Sequence, residues 1–232
     1  METVIPQAGD IARTLEVPML LRIRVRLPDR PGSLGQVART LGAAGADVVQ
    51  MAVLERGNGR ALDDFTVAWP PGAGIERLMD GLGAVQGVDV VGIWPTAEPQ
   101  GAFPDAEVIG QVGGCPERGM EILADAVPAL LSADWAGLAE PMGEEGALLV
   151  HASVGGVSGA DLPGLLPLRP HAFTARDGTQ YAVCPLAMGA VALVAARTGA
   201  PPFHRTEVFR LEQLARAADA VLYGVPAGQP AF

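Results

Sequence analysis

The sequence predicts an α+β chain of two domains, a small β-α-β-β-α-β unit followed by a larger antiparallel sheet with helices before and after it. Three observations carry that prediction. Residues 20–27, LLRIRVRL, alternate strictly between apolar and arginine positions, the period of a half-buried strand. Strand-like and helix-like periods then succeed one another in the order βαββαβ over about 77 residues. Finally, the stretch PTAEPQGAFP at 95–104 has three prolines and no period, so it reads as a break between domains.

In the first strand, Leu21, Ile23, Val25 and Leu27 point one way and Arg22, Arg24 and Arg26 the other. The turn PDRPG follows, and Leu34, Val37, Ala38 and Leu41 recur at helical spacing until Gly45 stops the helix. DVVQMAVLE is a second strand, Gly57-Asn58-Gly59 a tight turn and ALDDFTVAW its hairpin partner. A short helix from Ile75 to Leu82 and the strand VDVVGIW complete a split βαβ, ferredoxin-like unit, two helices on one face of a four-stranded antiparallel sheet. The arginines would lie on the other sheet face as a solvated stripe, with Asp64 on the third strand at the matching parity for a partner.

Beyond the break, residues 117–131 are expected to be helical, with Met120, Leu123, Val127 and Leu130 on one face and Pro128 kinking or shortening the helix. Strands follow at 135–139 and 147–152, then a Gly/Pro-rich loop, GGVSGADLPGLLPLRP, over 155–170. HAFTARDGTQYAVCPL reads as a hairpin turning at Asp177-Gly178, AVALVAAR as a strand. The closing helix, TEVFRLEQLARAADAVL, gathers Leu211, Leu214, Ala218 and Val221 on one face. The expected organisation is a tail over 1–18, a domain over 19–96, a linker over 97–107, a second domain over 108–224 and a tail over 225–232.

Composition excludes several functions. The 232 residues carry 26 acidic and 16 basic side chains, all of the latter arginine, for a net charge of -10. A nucleic-acid surface needs clustered positive charge, so nucleic acid is not an expected partner. Nor is a membrane, because the apolar runs stop short of the roughly 18 residues a span needs. METVIPQAGDIARTLEVP lacks the basic start and apolar run of an export signal, and the two distant cysteines, Cys115 and Cys184, read as reduced thiols, so a cytoplasmic protein is expected. His151, His171 and His204 show no metal-ligand spacing, and there is no nucleophile elbow or phosphate-cradling loop, so neither cofactor nor metal is expected.

One segment has the chemistry of a small-anion site. Asp29, Arg30, Pro31 and Gly32 deliver the chain sharply into a helix whose first backbone N–H groups are unpaired, and those groups with the helix dipole favour a carboxylate. Asp29 is placed to receive an ammonium group on the same ligand. The plainer reading is that Pro31-Gly32 only makes the turn and Ser33 caps the helix.

The stretch LPDRPGSLGQVARTLGAAGADVVQ resembles the ACT domain, a small regulatory module that typically binds amino acids. The D-R-P-G-S-L turn, the following helix and the G-A-D-V entry to the next strand carry the likeness, which extends over 19–96. The resemblance implies a small amino acid bound by Asp29, Arg30, Pro31, Gly32, Ser33 and Leu34. It also implies closure of the site by Asp47, Val48 and Val49 from a neighbouring subunit. A homo-oligomer formed through this domain follows, since pairing of ACT sheets would cover exposed sheet edges.

Residues 108–224 resemble a GAF domain, best over VCPLAMGAVALVAARTGAPPFHRTEVFRLEQLARAADAVL. A second pocket is expected beneath the 155–170 loop, with Phe173, Ala182 and Cys184 as floor and Arg169 or His171 at the rim. With a two-residue turn, Cys184 would sit directly across from His171, close enough for a thiol–imidazole contact. Three functions compete. The first is a non-catalytic regulatory sensor acting on a partner protein; the second, a ligand-free adaptor working by oligomerisation; the third, a cysteine-dependent GAF-type reductase. The residues favour the first and a chain that is not an enzyme.

Overall fold

The computed structural model describes residues 19–97, 103–143 and 146–224, and the chain divides into two compact units, residues 1–95 and 96–232. The first contains β1 (Met19–Pro28), α1 (Ser33–Ala43), β2 (Asp47–Gly57), β3 (Arg60–Trp69), α2 (Ile75–Gly83) and β4 (Asp89–Pro95). The sheet order is β2-β3-β1-β4, antiparallel throughout, which is the ferredoxin-like arrangement expected. Asn58 and Gly59 both take positive φ, as the two-residue β2–β3 turn requires.

Leu21, Ile23, Val25 and Leu27 of β1 pack with Phe65, Val67, Val37, Leu41, Leu78 and Leu82 in one apolar core. Leu34 and Ala38, expected on the buried face of α1, are exposed, because that helix buries only the narrow stripe of Val37 and Leu41 beside Ser33. The arginine face is not a solvated stripe. Arg24 is 2 % exposed and donates from Nε and Nη2 to the two carboxylate oxygens of Asp64, also 2 % exposed, at 2.7 and 2.8 Å. Its guanidinium also lies 5.3 Å from the centroid of Trp94. A planar guanidinium survives burial when a carboxylate fits its fork and an aromatic face takes its flank. Of the three arginines only Arg26 is exposed.

The second unit contains α3 (Pro104–Gly114), α4 (Gly119–Leu131), β5 (Trp135–Pro141), β6 (Gly146–Ala152), β7 (Asp161–Pro163), β8 (His171–Thr174), β9 (Gln180–Leu186), β10 (Val191–Arg197) and α5 (Arg205–Tyr223). Six antiparallel strands lie in the order β7-β6-β5-β10-β9-β8. One face, with Leu138, Ala182, Cys184, Leu193 and Ala195, packs on Val112, Leu123, Val127, Leu211 and Leu214 of the helices. The other, with Tyr181, Val183, Ala192 and Val194, continues into Leu162 of β7 and packs with Leu165 from the β7–β8 connection. This is the antiparallel sheet with helices before and after it that the sequence predicts.

Four details differ from the sequence reading. Helix α3 begins within the stretch read as linker, because Pro104 occupies the first helical turn with Asp105 and Glu107, where a missing N–H costs nothing and acidic residues favour the dipole. Helix α4 runs through Pro128 to Leu131. The last turn of α5 buries Leu222 against the core in place of Val221, following the 3.6-residue period from Ala218. Finally, the β8–β9 hairpin closes with three residues, Arg176 to Gly178, since the Ala175 N–H donates to the Thr179 carbonyl at 2.8 Å.

Candidate functional site

The β1–α1 connection is built from short local hydrogen bonds. The Asp29 N–H donates to the Gly59 carbonyl at 2.9 Å, anchoring the turn on the β2–β3 hairpin, and the Ser33 N–H donates to the Arg30 carbonyl at 3.3 Å. Gly32 sits at the helix N-cap with φ of 91°, a left-handed conformation that favours glycine. Ser33 does not cap. It is the first helical residue, it is buried, and no side chain caps this helix. The Gln36 N–H bonds back to the Gly32 carbonyl at 3.1 Å, while the first-turn N–H groups of Leu34 and Gly35 have no acceptor among the described residues.

All six turn residues, Asp29, Arg30, Pro31, Gly32, Ser33 and Leu34, line one cavity of about 330 Å³. Leu27 and Pro28 of β1, Val53 and Arg56 of β2, and Ala61 and Asp63 of β3 complete its wall. The turn thus closes over the end of the hydrophobic core, and Leu34 is exposed because it faces this space. Asp29 is already engaged: Arg56 donates to it from Nε at 3.1 Å and from Nη2 at 2.6 Å. That hydrogen bond holds the Asp29 carboxyl below its usual range. An ion pair so formed is a poor receptor for a further ammonium group.

Asp63 is different. It is 1 % exposed, and its Oδ1 has no hydrogen-bond partner among the described residues. Burial pushes its carboxyl up to about 6, the negative charges of Asp29 and Asp64 push the same way, and Arg56 opposes them. Asp63 and Arg56 are the site residues missed in the sequence. A signal for Asp63 existed: in ALDDF it shares the parity of Ala61 and Phe65, putting a carboxylate on the apolar face of β3, opposite Val25 of β1.

Asp47, Val48 and Val49 do not line the cavity. They lie at the far end of β2, where Asp47 and Val48 pair with Ala68 and Val67, and all three are exposed. Within one chain they have no part in this site. A second, larger groove of about 550 Å³ runs between α1 and α2, lined by Arg30, Arg39, Arg77, Gln36 and Gln86 among others, with no buried polar group.

The expected second pocket is not assembled. The three-residue turn shifts the hairpin register by one, so His171 faces Val183, Ala172 faces Ala182 and Phe173 faces Tyr181. A one-residue slip in a strand exchanges its faces. Ala182 and Cys184 therefore lie under the helices while Phe173 lies on the opposite face, stacked between His171 and Tyr181 at 5.6 and 5.2 Å. Nδ1 of His171 lies 2.7 Å from the carbonyl oxygen of Arg169, whose own side chain is exposed. The Cys184 thiol is fully buried and pushed up to about 12 by that burial, so it is protonated at neutral pH. Above the sheet, Leu165 is also fully buried, so the 155–170 loop is packed down.

The first unit is thus a ferredoxin-like fold with a cavity closed by its first strand–helix turn. Residues 21–68, within the first unit, match the ACT domain family. No curated protein matches the chain in sequence. Among solved structures, the phycoerythrobilin-bound GAF domain of a cyanobacterial phytochrome is similar with a TM-score of 0.41 and 9% identity, covering 53% of this chain and 97% of that one. A formyltetrahydrofolate deformylase from Pseudomonas putida KT2440 is similar with a TM-score of 0.27 and 16% identity, over 44% of this chain and 40% of that one. A protein to which the role of glycine cleavage system transcriptional repressor has been assigned is similar with a TM-score of 0.32 and 12% identity, over 89% of this chain and 94% of that one. No helix among the described residues is long and apolar enough to cross a membrane.

Proposed function

We propose that this protein is a non-catalytic regulatory sensor that binds a small amino acid in the cavity of its ACT domain. The observation that carries the reading is the convergence of the whole 29–34 turn on one cavity. The free N–H groups of the α1 terminus suit the ligand carboxylate. Leu27, Leu34, Val53 and Ala61 supply an apolar wall for a short side chain. The active form is a homo-oligomer joined through the first unit, in which Asp47, Val48 and Val49 of β2 meet the neighbouring copy. The second unit serves as an assembly platform, a reading favoured by the packed-down loop and the buried Leu165.

A thermal-shift screen of the twenty amino acids and common nucleotides tests the sensor reading. A ligand that binds only the native state, at 100 times its Kd, stabilises by about 2.7 kcal/mol. A rise in Tm with a small amino acid and none with nucleotides is expected. No shift with any amino acid transfers the assignment to a ligand-free adaptor. Light scattering that gives a 23.9 kDa monomer at micromolar concentration overturns the oligomer.

A further inference from the structure

We infer that Asp63 is the ammonium-binding residue of the ACT-domain cavity and the group that selects amino acids over their deaminated counterparts. The inference rests on the amino-acid reading above and adds to it the residue that sets specificity. Of the charged groups lining the cavity, Asp29 and Arg56 neutralise each other across the mouth. Arg30 is exposed and, with the α1 terminus, adds to the positive potential at the end where a carboxylate belongs. That leaves Asp63 as the buried negative charge of the cavity wall.

A carboxylate oxygen withdrawn from water without a hydrogen bond is costly, and few native structures retain one without a reason. An α-ammonium group repairs it: it brings a compensating charge and three N–H donors to an oxygen that has no partner. A metal ion is a poorer match, since hard divalent cations collect several oxygen ligands, and among the described residues no group of three or more His, Cys, Asp or Glu could hold one. A 2-hydroxy acid of the same shape would put a hydroxyl where the charge is needed and leave Asp63 uncompensated.

Protons compete for the same oxygen. The charged groups around Asp63 are Asp29 from the turn, Arg56 from β2 and Asp64 beside it on β3. Burial brings the Asp63 carboxyl up to about 6, so it titrates between pH 5 and 7. Binding of an ammonium group should therefore weaken about tenfold from pH 7 to pH 5.

The test is calorimetric titration of the full-length protein with glycine, alanine, valine and leucine, and with the corresponding 2-hydroxy acids, at pH 7. Wild type and Asp63→Asn are compared, with circular dichroism to verify folding. The expected result is at least tenfold weaker binding of the 2-hydroxy acid to wild type. The variant should lose at least tenfold in amino-acid affinity and lose the discrimination. If neither these four nor any other amino acid binds wild type, the sensor reading fails and takes this assignment with it. If an amino acid binds but its 2-hydroxy acid binds within threefold, or Asp63→Asn retains affinity within threefold, the sensor reading stands and the role of Asp63 is overturned. Should the variant not fold, wild type at pH 5 decides. A tenfold loss of affinity supports the assignment and unchanged affinity overturns it.

Discussion

Asp63→Asn is expected to stabilise the ligand-free first unit near neutral pH, an unusual sign for a substitution at a buried position. Burial and the neighbouring carboxylates of Asp29 and Asp64 raise the Asp63 carboxyl from 3.8 to about 6, against the pull of Arg56. The native state therefore holds its proton more tightly than the unfolded chain. Stability is greatest below the unfolded value and falls as pH rises toward about 6, above which the penalty is constant. At about 1.4 kcal/mol per tenfold change in proton affinity, the full penalty is about 3 kcal/mol, of which about 2 kcal/mol develops between pH 4.5 and 7.5. Asparagine keeps the shape without the charge, so the variant should gain about 2 kcal/mol on wild type between those two pH values. Urea unfolding in a Trp135→Phe background measures this, because the remaining tryptophans, Trp69 and Trp94, both lie in the first unit. A difference between variant and wild type that is the same at both pH values, within 0.5 kcal/mol (roughly the additivity error of such comparisons), refutes the argument.

Arg24→Met, which leaves Asp64 buried without its bidentate partner, should cost about 3–5 kcal/mol by the same assay; the lower end is favoured because Arg22 Nη1 already lies 3.8 Å from Asp64. A cost below 1 kcal/mol would show that the pair contributes little to the fold. Leu165→Ala should lower the stability of the second unit by about 2–5 kcal/mol in thermal unfolding, whereas a mobile lid would lose almost nothing. Cys184 should resist an aromatic disulfide reagent in the native protein, with only the partly exposed Cys115 reacting until urea is added; two rapid equivalents would show that the sheet opens.

The first unit was legible because its signals are local. Alternation in β1, the Asn58-Gly59 turn and the helical stripe of Val37 and Leu41 each rest on a few adjacent residues. What escaped depends on contacts distant in sequence. Arg24 reads as a surface residue until Asp64, forty positions away, is placed against it. Asp63 reads as the twin of Asp64 until the strand pairing puts it on the core face beside Val25. Pro104 looks like a breaker because its sequence does not reveal that Val108 and Val112 have a core to enter. The second unit was legible in most of its strands and helices, with α3 and β7 missed, but not in the register of the β8–β9 hairpin. Asp177-Gly178 fits a two-residue or a three-residue turn, and Gly178, at a φ of 88°, belongs to the longer one.

Strand β2 has a practical consequence for anyone handling the protein. It is eleven residues long, forms an edge of its sheet and exposes Val48, Val49, Met51 and Val53 together. Its pairing with β3 is irregular at two points, between Val48 and Gln50 and between Val53 and Glu55. Such irregularities keep an edge from presenting an uninterrupted ladder, and the charges of Glu55 and Arg56 guard one end, but the stretch from Gln50 to Val53 has neither protection. Concentrated or partly unfolded preparations should therefore aggregate first through this short segment. Met51→Lys, which brings in a residue type this chain does not otherwise use, would be the gentlest way to keep it in solution.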